Sequence, residues 1–182
     1  KVFETIDRSL SEIAEIIRDV PDAEIVAREQ LLHLRLKQLV ASLPQVKSAW
    51  IFDARGHALV NSLVVPAPDI DFSDRDYFKA HAASDIGTHI GEALTPRPPY
   101  QGAAFFGVSR RRPSEDGSFA GVLQASVFPE YFENYYARIG REPGSYFTLG
   151  RTDGTMLAHF PVVDRDGLLG RLPVDCGDVV AV

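Results

Sequence analysis

The sequence predicts an α+β fold, with long N-terminal helices packed on an antiparallel sheet and a smaller, incomplete second lobe after it. Three observations carry this. Apolar residues in the first forty positions recur at helical spacing. After Gln45 they fall instead into short β-branched and aromatic runs, separated by turns rich in Asp and Gly. A strand–turn–strand unit around Asp53 then returns in weaker form around Asp153, which reads as an internal repeat. The matching division is 1–44 for the helices, 45–140 for the main lobe and 141–182 for the partial one.

Phe3, Ile6, Leu10, Ile13, Ile17 and Val20 recur at spacings of three and four, so residues 1–20 form a helix with one apolar stripe. Two readings stay open for that stripe: a seam joining two copies of the chain, or a face packed on its own domain. Pro21 interrupts the helix and suits the first turn of another, expected over 22–43 with Ile25, Leu32, Leu36, Leu39 and Leu43 on one face. Pro44 stops it. Residues 46–52 are a strand, Asp53-Ala54-Arg55-Gly56 a turn and 57–63 the return strand. Pro66 and Pro68 make 64–71 a loop, after which Ser73 or Asp74 caps a helix over 75–83. A short strand is expected at 89–94, and a long antiparallel pair at 101–111 and 118–128. A helix from Pro129 and a linker at 140–144 follow. A second hairpin at 145–149 and 155–160 comes next, and 179–182 is a final strand or a ragged end.

The chain has 182 residues, 45% of them hydrophobic and 24% charged, enough apolar mass for a core. Its net charge of -6 argues against nucleic acid, because phosphate binding needs clustered cations. Arg110-Arg111-Arg112 is the one basic run and reads as a solvated strand end before a Pro-Ser-Glu-Asp-Gly turn. Cys176 is the sole cysteine, so no internal disulfide forms. No stretch approaches the ~20 apolar residues of a membrane span. The chain begins at Lys1 rather than Met and reads as an excerpt, whose membrane contact would lie in flanking segments.

Catalytic machinery is not expected. There is no Gly-x-Ser-x-Gly elbow and no phosphate loop. His33, His57, His81, His89 and His159 read as surface or loop histidines, since no cysteine or carboxylate completes a metal spacing. Asp71, Asp74 and Asp76 lack the Gly and terminal Glu of a calcium loop. No catalytic residue, metal or cofactor is therefore predicted. A small metal-dependent hydrolase using the Asp cluster is the rival from another class, and a ligand-free dimerisation module is the third reading.

The informative segment is Asp71-Phe72-Ser73-Asp74-Arg75-Asp76-Tyr77-Phe78. A guanidinium holds a carboxylate by two parallel bonds, and the Tyr77 hydroxyl stands two residues on. The alternatives are a salt bridge from Arg75 to a neighbouring Asp and a core role for Tyr77. In the strand over 118–128, Leu123, Ala125 and Val127 form an apolar face suited to the helices. Gln124 and Ser126 point the other way. Buried polar groups need partners, which a ligand can supply. For the strand before it, Phe106 and Arg110 are expected on the pocket side, where a second cation would suit a dianion.

The element order, the Asp71 to Phe78 motif and Gly117-Ser118-Phe119-Ala120-Gly121-Val122-Leu123 resemble the double-Cache (PDC, PAS-like) extracytoplasmic sensor domains of bacterial histidine kinases, diguanylate cyclases and chemoreceptors, over roughly residues 1–160. The resemblance implies a membrane-distal PAS-like lobe that binds a small molecule, a smaller proximal lobe and a first helix that acts as a stalk. It implies a periplasmic or extracellular location in an inner-membrane protein. It also implies ligand contact by Arg75 and Tyr77. Amino-acid-binding members carry a tryptophan after the arginine; Asp76 stands there in this chain, which points toward another organic acid.

Overall fold

The computed structural model describes residues 1–140 and 144–161. The expected terminal strand at 179–182 and most of the 140–144 linker lie outside these residues. Twelve elements are described: α1 (Val2–Ile16), α2 (Asp22–Ala27), α3 (Glu29–Ser42), β1 (Val46–Phe52), β2 (Ala58–Asn61), α4 (Asp76–Ala83), β3 (His89–Leu94), β4 (Phe105–Arg111), β5 (Val122–Val127), α5 (Pro129–Ile139), β6 (Phe147–Gly150) and β7 (Met156–Phe160). They build a five-stranded sheet in the order β2-β1-β5-β4-β3 and a two-stranded sheet of β6 and β7. The α+β class is as predicted.

The chain divides into two compact units, residues 1–91 with 107–127 and residues 92–106 with 128–182. In the first unit the α1 stripe is inside: Ile6, Leu10, Ile13 and Ile17 are each 5% exposed or less. The helix touches β5, so the stripe packs on its own unit rather than lying open as a seam. The helix expected over 22–43 is two helices. Arg28, at φ −103° and ψ 15°, ends α2 and precedes α3. A continuous stripe from Ile25 to Leu32 needs an apolar residue at 28 or 29, and Arg28 and Glu29 stand there. Each short helix docks separately, α2 on β2 and α3 on β1 and β2. The buried His33 fixes α3 by donating from Nδ1 to the Asn61 carbonyl at 2.7 Å.

β1 runs antiparallel to β5, with Ser48 opposite Ser126, Trp50 opposite Gln124 and Phe52 opposite Val122. Side chains alternate across a sheet, so these six share one face, while Ala49, Ile51, Leu123 and Ala125 share the other, under the helices. β4 and β5 begin later than expected, at Phe105 and Val122. Gly102 and Gly121 cause this, because their φ values of 131° and 124° leave the extended region. The first turn is as predicted, with Gly56 at φ 95° and Asp53 Oδ1 accepting from the His57 amide.

In the second unit, α5 lies against β7. Tyr136 stacks on Phe147 with ring centres 5.4 Å apart, and Phe106 meets Phe132 at 6.1 Å.

Candidate functional site

The segment from Asp71 to Ala83 covers the polar face of the first unit's sheet. Its entry is set by Asp71, whose Oδ1 accepts from the Ser73 amide at 2.8 Å. Helix α4 then starts at Asp76 with Arg75 as its N-cap, in an extended backbone conformation at φ −69° and ψ 146°. The expected caps, Ser73 and Asp74, lie two residues and one residue before Arg75. Phe72 anchors the segment, with its ring centre 5.5 Å from Trp50 and 5.1 Å from Phe52. Tyr77 stacks on Phe52 at 6.0 Å and is 3% exposed. Arg75 is half-buried.

Beneath this aromatic layer runs a row of neutral polar groups. Gln124 and Ser126 are 2% and 3% exposed. The Gln124 amide donates to Ser126 Oγ at 3.2 Å, and Ser48 Oγ donates to the same oxygen at 3.1 Å. Trp50 donates its indole N–H to Ser48 at 2.9 Å. The row is satisfied by its own members, as buried polar groups in low dielectric must be.

Gly107 shows how closely the layers meet. A Cβ there would stand 3.1 Å from Gln124 Nε2 and 3.4 Å from a Tyr77 ring carbon. Gly107 therefore lies on the side of β4 that faces α4, and by alternation so does Ser109. This corrects the expected face of the strand. Phe106 packs toward Phe132, and Arg110 turns to the helix side, where its guanidinium donates to Asp7 of α1 at 2.5 Å. The choice between two alternating sets cannot be read from Phe-Phe-Gly-Val-Ser-Arg-Arg, because both contain an aromatic and an arginine. Tyr77, Gln124 and Ser126 belong to the covered face and Arg75 to the start of the helix over it; Phe106 and Arg110 point away from it.

Sequence reasoning missed His81, Ser109, Ser48 and Trp50. His81 is fully buried, not a surface residue, and its Nε2 is 3.0 Å from Ser109 Oγ. Burial lowers its pKa to about 4, with the nearby His89 adding to the shift, so the ring is neutral. The available signals were spacing signals: His81 is one turn after Tyr77 on α4, and Ser48, Trp50 and Phe52 alternate along β1. Ser109 and His81 are bonded as a nucleophile and its base would be. However, His81 Nδ1 has no hydrogen-bond partner among the described residues, so no carboxylate orients the ring. Among the described residues no group of three or more His, Cys, Asp or Glu is placed to hold a metal ion. The described face carries neutral donors and acceptors with aromatic rings around them, and Arg75 stands at the start of the helix over it.

This fold is that of the extracellular sensor domains of histidine kinases and chemoreceptors, the PDC-like class. The chain is 30% identical to the extracellular domain of the candidate histidine kinase rpHK1S-Z16, at a TM-score of 0.65, over 88% of this chain and 66% of that one. It matches an extracellular ligand-binding receptor from Desulfohalobium retbaense at 19% identity and a TM-score of 0.66, over 85% of this chain and 27% of that one. The ligand-binding domain of the Campylobacter jejuni chemoreceptor Tlp3, in complex with 4-methylisoleucine, matches at 14% identity and a TM-score of 0.59, over 96% and 71%. The chain thus spans just under two thirds of the first of these domains and about a quarter of the second. No family model and no curated protein matches the sequence.

Proposed function

We propose that this chain is the extracytoplasmic, ligand-binding part of a membrane-anchored signalling protein, and that a small organic acid binds over the sheet face beneath residues 71–83. The supporting observation is the approach of Tyr77 and Gln124 to Gly107, which seats the Arg75–Tyr77 motif directly on the polar row. Arg75 holds the carboxylate, Tyr77 and Gln124 orient the body of the ligand, and Ser126 supports Gln124. With Arg110 turned to the other face, the site favours one negative charge over two. Binding shifts the balance between two arrangements of the domain only by its difference in affinity for them. That shift passes to a cytoplasmic output of the histidine kinase or diguanylate cyclase type. The Tlp3 domain is in complex with 4-methylisoleucine, which shares its carboxylate with other organic acids; here Asp76 stands where amino-acid-binding members carry a tryptophan, which favours another organic acid.

A thermal-shift screen of monocarboxylates, dicarboxylates and aliphatic amino acids tests this. A ligand at a hundred times its Kd stabilises by about 2.7 kcal/mol, a rise of several degrees in Tm. At least one monocarboxylate should produce that rise, and Arg75→Ala should abolish it. A rise that survives Arg75→Ala removes the site assignment. No rise with any compound favours a ligand-free dimerisation module instead.

A further inference from the structure

β4 has a different partner on each side. On its pocket face, Gly107 receives Gln124 and Tyr77, and Ser109 bonds His81. On its other face and just past its end, Arg110 and Arg112 grip the N-terminal helices. Arg110 donates to Asp7 of α1 at 2.5 Å, and Thr88, in the loop before β3, also donates to that carboxylate. Arg112 is 3% exposed and donates to Asp22 of α2 at 2.8 Å, to the Phe52 carbonyl at 3.3 Å and to the Val20 carbonyl at 3.4 Å. The Asp19 carboxylate accepts from the Glu115 amide at 2.7 Å, tying the same helix end to the turn after β4. Burial alone would raise the Asp7 carboxyl, but the bonds from Thr88 and Arg110 and the Arg110 charge hold it below the usual carboxylate range. The Arg110-Arg111-Arg112 run is thus mostly a set of fasteners rather than a solvated strand end.

We propose that β4 mechanically couples the ligand face to the N-terminal helices: Gly107 and Ser109 sense the pocket, while Arg110 and Arg112 carry their displacement to α1 and α2. The strand is stiff and its residues alternate at fixed spacing, so a shift or twist imposed on one face appears on the other. Arg110 and Asp7 act on the pocket only through β4 and are positioning residues. The inference rests on reading the α4 side as the ligand face, but its test needs no ligand.

Trp50 is the only tryptophan and lies on the ligand face, 6% exposed, so its fluorescence reports that face alone. Acrylamide quenching is measured on the intact chain and on Arg110→Gln, Asp7→Asn and Arg18→Gln. Arg18 pairs with Glu15 on the exposed side of the α1 end and controls for loss of any helix ion pair. Arg110→Gln and Asp7→Asn should raise the quenching constant at least twofold, Arg18→Gln should leave it unchanged, and the swap Asp7→Arg with Arg110→Asp should lower it again. If Arg110→Gln does not fold, Asp7→Asn, which keeps an amide in place, carries the test. Unchanged quenching in Asp7→Asn, or an equal rise in Arg18→Gln, overturns the coupling. Neither result bears on whether a carboxylate binds Arg75, which the ligand screen decides separately.

Discussion

At the scale of single residues, His81 makes the sharpest prediction. It is neutral in the fold, with a pKa of about 4 against an ordinary 6.5. Between those values the unfolded chain binds a proton that the native chain does not. Stability therefore falls as pH drops through that window, by up to about 1.4 kcal/mol per pH unit, and levels off below it. Going from pH 7 to pH 5 should cost on the order of 2 kcal/mol through this residue alone. Urea midpoints at the two pH values check this, and His81→Gln should flatten the difference. The groups around the ring are His89, Asp85 and Arg111. The residue scale was also where sequence reading was most uneven. Arg75 and Tyr77 stood out because charge and hydroxyl lie two apart in a short motif. His81 did not, because its place one turn after Tyr77 is a weak signal alone and its partner, Ser109, is 28 residues away.

At the scale of elements, the periodicities were legible and the breaks were less so. β1 and β3 fall where the apolar runs place them. The stripe of α1 was legible too, but not its partner, since a buried face and a dimer seam have the same spacing. The structure puts Leu10 at 1% exposure inside the first unit. Leu10→Ala should therefore cost about 2–5 kcal/mol. The exposed Glu12→Ala on the same helix should stay within about 0.5 kcal/mol. Both are read from denaturant midpoints at constant slope. Equal, small effects would mean that α1 is loosely held.

At the scale of the molecule, the burial of the stripe bears on self-association. Two copies meeting through Ile6, Leu10 and Ile13 would have to lift α1 off β5 first. Sedimentation should show that Arg8→Glu, on the outer side of α1, leaves the oligomeric state as it is. Ile13→Asp should lower stability, with no dimer lost that the parent did not owe to intact folding. A parent dimer dissolved by Ile13→Asp at unchanged stability would restore the seam. The α+β class and element order could be read at this scale because each element carries its own pattern. The assignment of faces within β4 could not, since it depends on which neighbour takes which side of the strand.

That two-sided strand also constrains how such a chain can diversify. Positions 107 and 109 face Gln124, Tyr77 and His81, while 110 and 112 hold α1 and α2. A one-residue insertion or deletion within the strand would exchange the faces, setting a guanidinium over Gln124 and a side chain with no charge against Asp7. A point substitution in β4 keeps that assignment of faces, whereas a change of length would exchange them in a single step.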